Sequence, residues 1–236
     1  GEFHPIDGPY ATWSEGDVLE YPMSGTKLPV HDIAGGVWFT VPEARPPIYP
    51  QGSKIGRLNI SSTDIRLVDI PTENGGPYDI AVTSKQVPFF TERNSPRLGT
   101  VDPTTMRVTE YVLPNPESGP RGIAVTADDV IWYTDYLRGY LGRFDPKSGE
   151  FKEWPSPSGP RSLPYGITAV GNIVWYAEAG TKPNMLVRFD PKTEKFQSWP
   201  VKDGGGIRRM YADKDGSLWF TRPLTNGIAH VMIKEQ

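Results

Sequence analysis

The chain has no cysteine. That excludes disulfides, thiolate metal sites and a cysteine nucleophile, so redox chemistry does not fix the compartment; a secreted or periplasmic setting is expected over the cytoplasm. Histidine is nearly as scarce, at His4, His31 and His230. No apolar run approaches the length of a membrane span. The formal net charge is only −3, so no strong field draws in nucleic acid or an anionic membrane. The chain opens Gly1-Glu2-Phe3, not on Met, which reads as an expression scar or the start of a mature chain. The expected partner is a small molecule or peptide, with no nucleic acid and no membrane span.

What is plentiful is punctuation and aromatics. Gly and Pro number 25 each, and such density suits many short strands joined by tight turns. An aromatic pair recurs: Trp38-Phe39, Phe89-Phe90, Trp132-Tyr133, Trp175-Tyr176 and Trp219-Phe220, with a period of about 43–51 residues. A repeat of that length built from strand-sized pieces signals a β-propeller blade. Each repeat holds four pieces. Blade three shows them as Gly122-Ile123-Ala124-Val125, Ile131-Trp132-Tyr133-Thr134, Leu141-Gly142-Arg143-Phe144 and Glu153-Trp154-Pro155. Their polar–apolar alternation puts one face on a neighbouring blade and the other in water. Turns such as Asp145-Pro146-Lys147-Ser148-Gly149 supply geometry, not chemistry.

A copy of the fourth piece, Glu20-Tyr21-Pro22, stands near the N-terminus, and the last repeat stops after its third. The predicted fold is therefore all-β: a single β-propeller domain over residues 1–236, with residues 1–16 as an N-terminal arm. It has five four-stranded blades, closed by an N-terminal strand around Val18–Tyr21 that completes the C-terminal blade. Such closure removes exposed sheet edges.

The run Gly119-Pro120-Arg121-Gly122-Ile123-Ala124, then Trp132-Tyr133-Thr134-Asp135, Leu141-Gly142-Arg143-Phe144-Asp145-Pro146 and Glu153-Trp154-Pro155 resembles the repeat of the streptogramin B lyase (virginiamycin B lyase) family. The likeness extends over nearly the whole chain from about residue 17. It implies a propeller that binds at its channel mouth. Members acting as lyases are seven-bladed and open a cyclic depsipeptide by elimination across its ester linkage, with a bound Mg²⁺ and histidines at the mouth. Here there are five copies of the repeat and three histidines.

In a propeller, the loop into the innermost strand and the loop leaving the second strand lie on one face. Aligning the repeats on the Asp-Ile-Ala and Gly-Ile-Ala motifs gives one lead-in residue per blade: His31, Tyr78, Arg121, Tyr165 and Arg208. The lead-out residues are Val41, Glu92, Asp135, Glu178 and Arg222. Glu92, Asp135 and Glu178 are candidate oxygen ligands for a hard cation, Mg²⁺ or Ca²⁺. Glu92 and Glu178 are also candidate acid–base groups, and His31 is the candidate general base. Tyr78, Arg121, Tyr165, Arg208 and Arg222 are candidate substrate-binding residues. Tyr49 joins them from the proline-rich stretch 42–54, long enough to form a binding loop. Taken singly, each is as well explained as a solvated strand end; the set carries the functional expectation. Trp and Phe of the second strands are expected to pack blade on blade. Arg57, Arg143, Arg188 and His230 recur at one third-strand position and are expected to be structural. Two functions stay open: a lyase-like or ester-cleaving enzyme, and a propeller that binds a peptide, sugar or anionic small molecule without chemistry.

Overall fold

The computed structural model describes residues 27–31 as backbone, and residues 36–42, 52–201 and 206–233. Five antiparallel sheets follow one another as the blades of a five-bladed β-propeller. The first holds β1 (Lys27–His31), β2 (Gly36–Val41), β3 (Lys54–Asn59) and β4 (Ile65–Asp69). The second holds β5 (Pro77–Val82), β6 (Pro88–Glu92), β7 (Arg97–Val101) and β8 (Val108–Val112). The third holds β9 (Pro120–Val125), β10 (Ile131–Asp135), β11 (Tyr140–Asp145) and β12 (Glu150–Pro155). The fourth holds β13 (Pro164–Val170), β14 (Ile173–Glu178), β15 (Met185–Asp190) and β16 (Lys195–Pro200). The fifth shows three strands, β17 (Met210–Ala212), β18 (Leu218–Arg222) and β19 (Gly227–Val231). The strand expected to complete it, around Val18–Tyr21, and the arm 1–16 lie outside the described residues. No described helix is long and apolar enough to cross a membrane.

The aromatic pairs do what their spacing requires. β2, β6 and β10 are buried along their whole length, and neighbouring blades cover both faces of β6 and β10. The outermost strands β12 and β16 alternate between exposed and half-buried positions, as one-sided packing dictates. Trp132 stacks on Trp154 of its own blade at 5.7 Å and reaches Phe189 of the next at 5.6 Å. The glycine of the third strand makes room for the second aromatic. Gly142 pairs with Tyr133, and a Cβ on Gly142 would stand 2.0 Å from that ring.

The third-strand residues are structural, as their recurrence indicates. Arg143 pairs with Asp145 at 2.9 Å, Arg188 donates to Gln197 and Arg57 lies over Trp38. His230 stacks on Trp219, with ring centres 4.1 Å apart.

The innermost strands β1, β5, β9, β13 and β17 pack in succession around the channel. A hydroxyl tie recurs between them. Thr40 donates to the carbonyl of Tyr78, Thr91 to that of Arg121 and Thr134 to that of Tyr165, at 3.1, 2.7 and 2.9 Å. Each tie fixes a lead-in residue of one blade to the second strand of the blade before it. At the fourth blade the threonine is replaced by Ala177, and the tie to the Arg208 carbonyl is lost.

Candidate functional site

Four of the lead-in residues hold their predicted register, and one changes. Ala81 of β5 pairs with Phe89, Ala124 of β9 with Trp132, and Thr168 of β13 with Trp175. In the first blade the partner of Trp38 is Val30. Counting back by the same step puts Lys27, not His31, in the slot of Tyr78, Arg121, Tyr165 and Arg208. His31 pairs with Val37, matching Val82 opposite Pro88, at the far end of the innermost strand from the mouth. This corrects the alignment on Asp32-Ile33-Ala34, which resembles Asp79-Ile80-Ala81 but follows β1 instead of forming it.

The lead-in side chains build the mouth. The hydroxyls of Tyr78 and Tyr165, from blades two and four, are hydrogen-bonded across the opening, and their rings meet edge to face at 6.2 Å. The Arg121 guanidinium lies 5.4 Å from the centre of the Tyr78 ring and 5.2 Å from that of Tyr136. Arg208 lies over Tyr165 at 6.0 Å, and Arg93 over Tyr78 at 5.7 Å. These are cation–π distances. Burial and the hydrogen bond to Tyr78 push the Tyr165 phenol up to about 12, so it stays protonated at neutral pH.

One residue deeper, Arg209 lies over Tyr78 at 5.4 Å and extends its Nη1 to 3.6 Å from Asp79 Oδ2. The Asp79 carboxylate also accepts from the backbone N–H groups of Ile80 and Ile123, at 3.0 and 3.1 Å. Burial raises its pKa to about 6, against the lowering pull of Arg209 and of those two donors.

The lead-out carboxylates are not brought to the opening. Each is fully buried; Asp135 and Glu178 grip the loop that leads into their own blade, and Glu92 holds the turn that leaves β6. Asp135 accepts from the Gly119 N–H at 2.9 Å and pairs with Arg138 at 3.2 Å. Glu178 accepts from the backbone N–H of Ser158 at 2.9 Å and from its hydroxyl. Glu92 accepts from the Ser95 hydroxyl at 3.1 Å, while its Oε1 is buried without a hydrogen-bond partner. The reason is strand alternation: the residue that packs inward at the end of a second strand is followed by one that faces the mouth. Arg93 and Tyr136, which directly follow Glu92 and Asp135, are those residues. Val41 is buried and Arg222 half-buried. Tyr49 lies outside the described residues.

Mg²⁺ or Ca²⁺ shared by Glu92, Asp135 and Glu178 therefore does not fit. The three carboxylates serve three separate blades, and two already hold backbone donors. Among the described residues no group of three or more acids and histidines stands close enough to hold a metal ion.

Sequence reasoning thus missed Arg93, Tyr136, Asp79 and Arg209. The available signal was opposite charge at one register position: Asp79 and Arg209 each follow a lead-in residue directly, where the neighbouring blades carry Gly122 and Gly166.

The sequence model of the virginiamycin B lyase family matches residues 13–236. Among solved structures, a catalytically inactive histidine-to-alanine variant of virginiamycin B lyase from Staphylococcus aureus with quinupristin is 26% identical. It superposes with a TM-score of 0.78 over 90% of this chain and 69% of that one. A streptogramin B lyase structure, 22% identical, gives a TM-score of 0.73 over 92% of this chain and 71% of that chain. A putative 6-phosphogluconolactonase from Bacteroides uniformis, 12% identical, shares the fold at a TM-score of 0.63, covering 85% of this chain and 64% of that one. No curated protein sequence matches significantly.

Proposed function

Since this chain belongs to the virginiamycin B lyase family, we propose that it holds a small anionic ligand at the mouth of its channel. The observation that carries this reading is the gathering of Arg121, Arg208 and Arg209 on the faces of Tyr78 and Tyr165. A guanidinium stacked on a ring keeps its N–H edge for a ligand, and that fork matches the two oxygens of a carboxylate or phosphate. The mouth is the usual binding place of a propeller, and the register of β1 adds Lys27 to the same ring of positions. The test is thermal unfolding with a series of small anions. A ligand that binds only the folded chain raises the melting temperature, and Arg121→Gln should reduce that rise. A melting temperature that no anion moves at millimolar concentration, roughly the weak limit of specific binding, would sink the proposal.

The family gives a second reading, elimination at a carbon–oxygen bond, favoured by the 26% identity to a lyase solved with quinupristin. The described groups suited to it are Asp79, titrating near 6, as proton acceptor, and the Tyr165 phenol as donor to the leaving oxygen. Incubation with quinupristin followed by mass spectrometry decides. Ring opening that Asp79→Asn abolishes supports the lyase; an intact ring after prolonged incubation removes that substrate class.

A further inference from the structure

We propose that the ligand of this mouth is a small dianion, of the phosphate monoester or dicarboxylate kind, rather than a monoanion. The inference rests on the anion-binding reading above and adds the ligand's charge. Arg121 and Arg209 each place their guanidinium carbon 5.4 Å from the centre of the Tyr78 ring, and Arg208 sits 6.0 Å from that of Tyr165. The two rings are themselves hydrogen-bonded, so the three cations surround one small space. Among the described residues the carboxylate that answers them is Asp79, and it faces Arg209. Its two backbone donors, Ile80 and Ile123, hold it there and keep it from swinging to Arg121. Arg121 and Arg208 pair with no described carboxylate, and the Arg121 Nε is buried without a hydrogen-bond partner.

Among the described residues, Arg121, Arg208 and Arg209 against Asp79 leave an excess of two positive charges, and Arg93 also lies on the Tyr78 ring. Like charges this close in a partly buried site repel more strongly than they would in water. The tyrosine faces offset some of that repulsion, but they are spent in doing so and are not free to stack on an aromatic ligand. Among the described residues, what the cluster still lacks is negative charge. A monoanion leaves these four side chains net positive, whereas a dianion offsets their excess, and each stacked arginine has an N–H edge to donate to an oxygen.

Calorimetric titration of the full chain at about pH 8, at matched ionic strength, tests this with inorganic phosphate, succinate and acetate. The expected result is that one dianion binds about tenfold tighter than acetate or better, since each further charge meets the same excess field. Phosphate ahead of succinate identifies a phosphoryl group, and the reverse identifies a dicarboxylate. Arg208 is exposed, so Arg208→Gln keeps the fold and should narrow the dianion-to-acetate ratio severalfold. Acetate within about tenfold of both dianions, or a ratio that Arg208→Gln leaves unchanged, overturns the dianion while leaving the anion-binding reading intact. No binding of any of the three overturns that reading itself.

Discussion

Arg209 of the fifth blade reaches Asp79 of the second, with 3.6 Å between Nη1 and Oδ2. The ring is narrow enough for this because the same height in blades three and four is glycine. A Cβ on Gly122 would stand 2.3 Å from the Tyr165 carbonyl oxygen, and one on Gly166 about 3.0 Å from the backbone of Arg208. Close approach of the innermost strands thus lets one side chain cross from blade to blade under the tyrosines. Asp79 and Arg209 form the floor of the mouth and tie its two sides together.

That pair makes stability depend on pH. The folded-state pKa of Asp79, about 6, lies above its ordinary value of 3.8, chiefly through burial. The folded chain therefore holds a proton that the unfolded chain releases. Its contribution to stability is fully present below about pH 4 and is lost as pH rises through about 6. Asp79→Asn should flatten that part of the profile. Arg209→Gln removes the neighbour that lowers the pKa, so it should deepen the loss and carry it to higher pH. Urea unfolding of the three proteins across that range checks both signs; an Asp79→Asn profile parallel to that of the parent chain would contradict the assignment.

The blades were legible because their signal is covalent and periodic. An aromatic pair needs a neighbour on each face, and Gly142 under Tyr133 leaves its mark as Leu-Gly-Arg. The mouth was half legible. Tyr78, Arg121, Tyr165 and Arg208 follow from the repeat, but the repeat points to Glu92 and Asp135 where Arg93 and Tyr136 face the opening. A strand has a period of two, so a slip of one residue moves a side chain from the channel to the interior. The first blade failed for a similar reason. Asp32-Ile33-Ala34 copies the local motif, yet register is set by the partner strand, and Trp38 selects Val30.

Glu92 offers a second proton-linked prediction at a separate place. Burial, then the neighbouring Glu110 carboxylate, raise its pKa to about 8 from 4.5. The folded chain binds this proton more tightly, so stability falls as pH rises from about 4.5 to about 8 and levels off above. Glu92→Gln keeps the shape without the charge. It should melt higher than the parent chain above about pH 8 and no higher near pH 4, where Glu92 is neutral in both states. Melting temperatures that coincide at both ends would show that Glu92 is not held protonated.

The third blade solves the same crowding with a cation. Arg138 pairs with Asp135 at 3.2 Å and with Glu153 at 2.9 Å, and it donates to the Ser118 hydroxyl. In the second blade the residue three after the lead-out carboxylate is Ser95, not arginine. Arg138→Met leaves two carboxylates uncompensated in a largely buried setting and should cost about 3–5 kcal/mol in chemical unfolding. Adding Glu153→Gln should recover part of that loss, because the remaining charge has one fewer like neighbour. Strict additivity of the two changes would mean that Arg138 does not couple them.

The threonine ties predict an asymmetry around the ring. The Thr134 hydroxyl accepts from the Gly122 N–H at 2.9 Å and donates to the Tyr165 carbonyl at 2.9 Å. Thr134→Val keeps the volume but strands a buried donor and a buried acceptor, which costs about 1–3 kcal/mol for each unsatisfied group. The junction between the fourth and fifth blades lacks this tie at Ala177, so it should open first. Native-state hydrogen exchange should show β17 and β18 exchanging faster than β9 and β10, through local opening rather than global unfolding. In the fully buried site of Ala177, Ala177→Thr adds the missing hydroxyl opposite the Arg208 carbonyl. It should slow exchange in β17 selectively, provided the extra methyl is accommodated, which the melting temperature reports. Slower exchange throughout the chain would instead indicate a general gain in stability, and unchanged exchange at a preserved melting temperature would show that the tie does not control the opening of this junction.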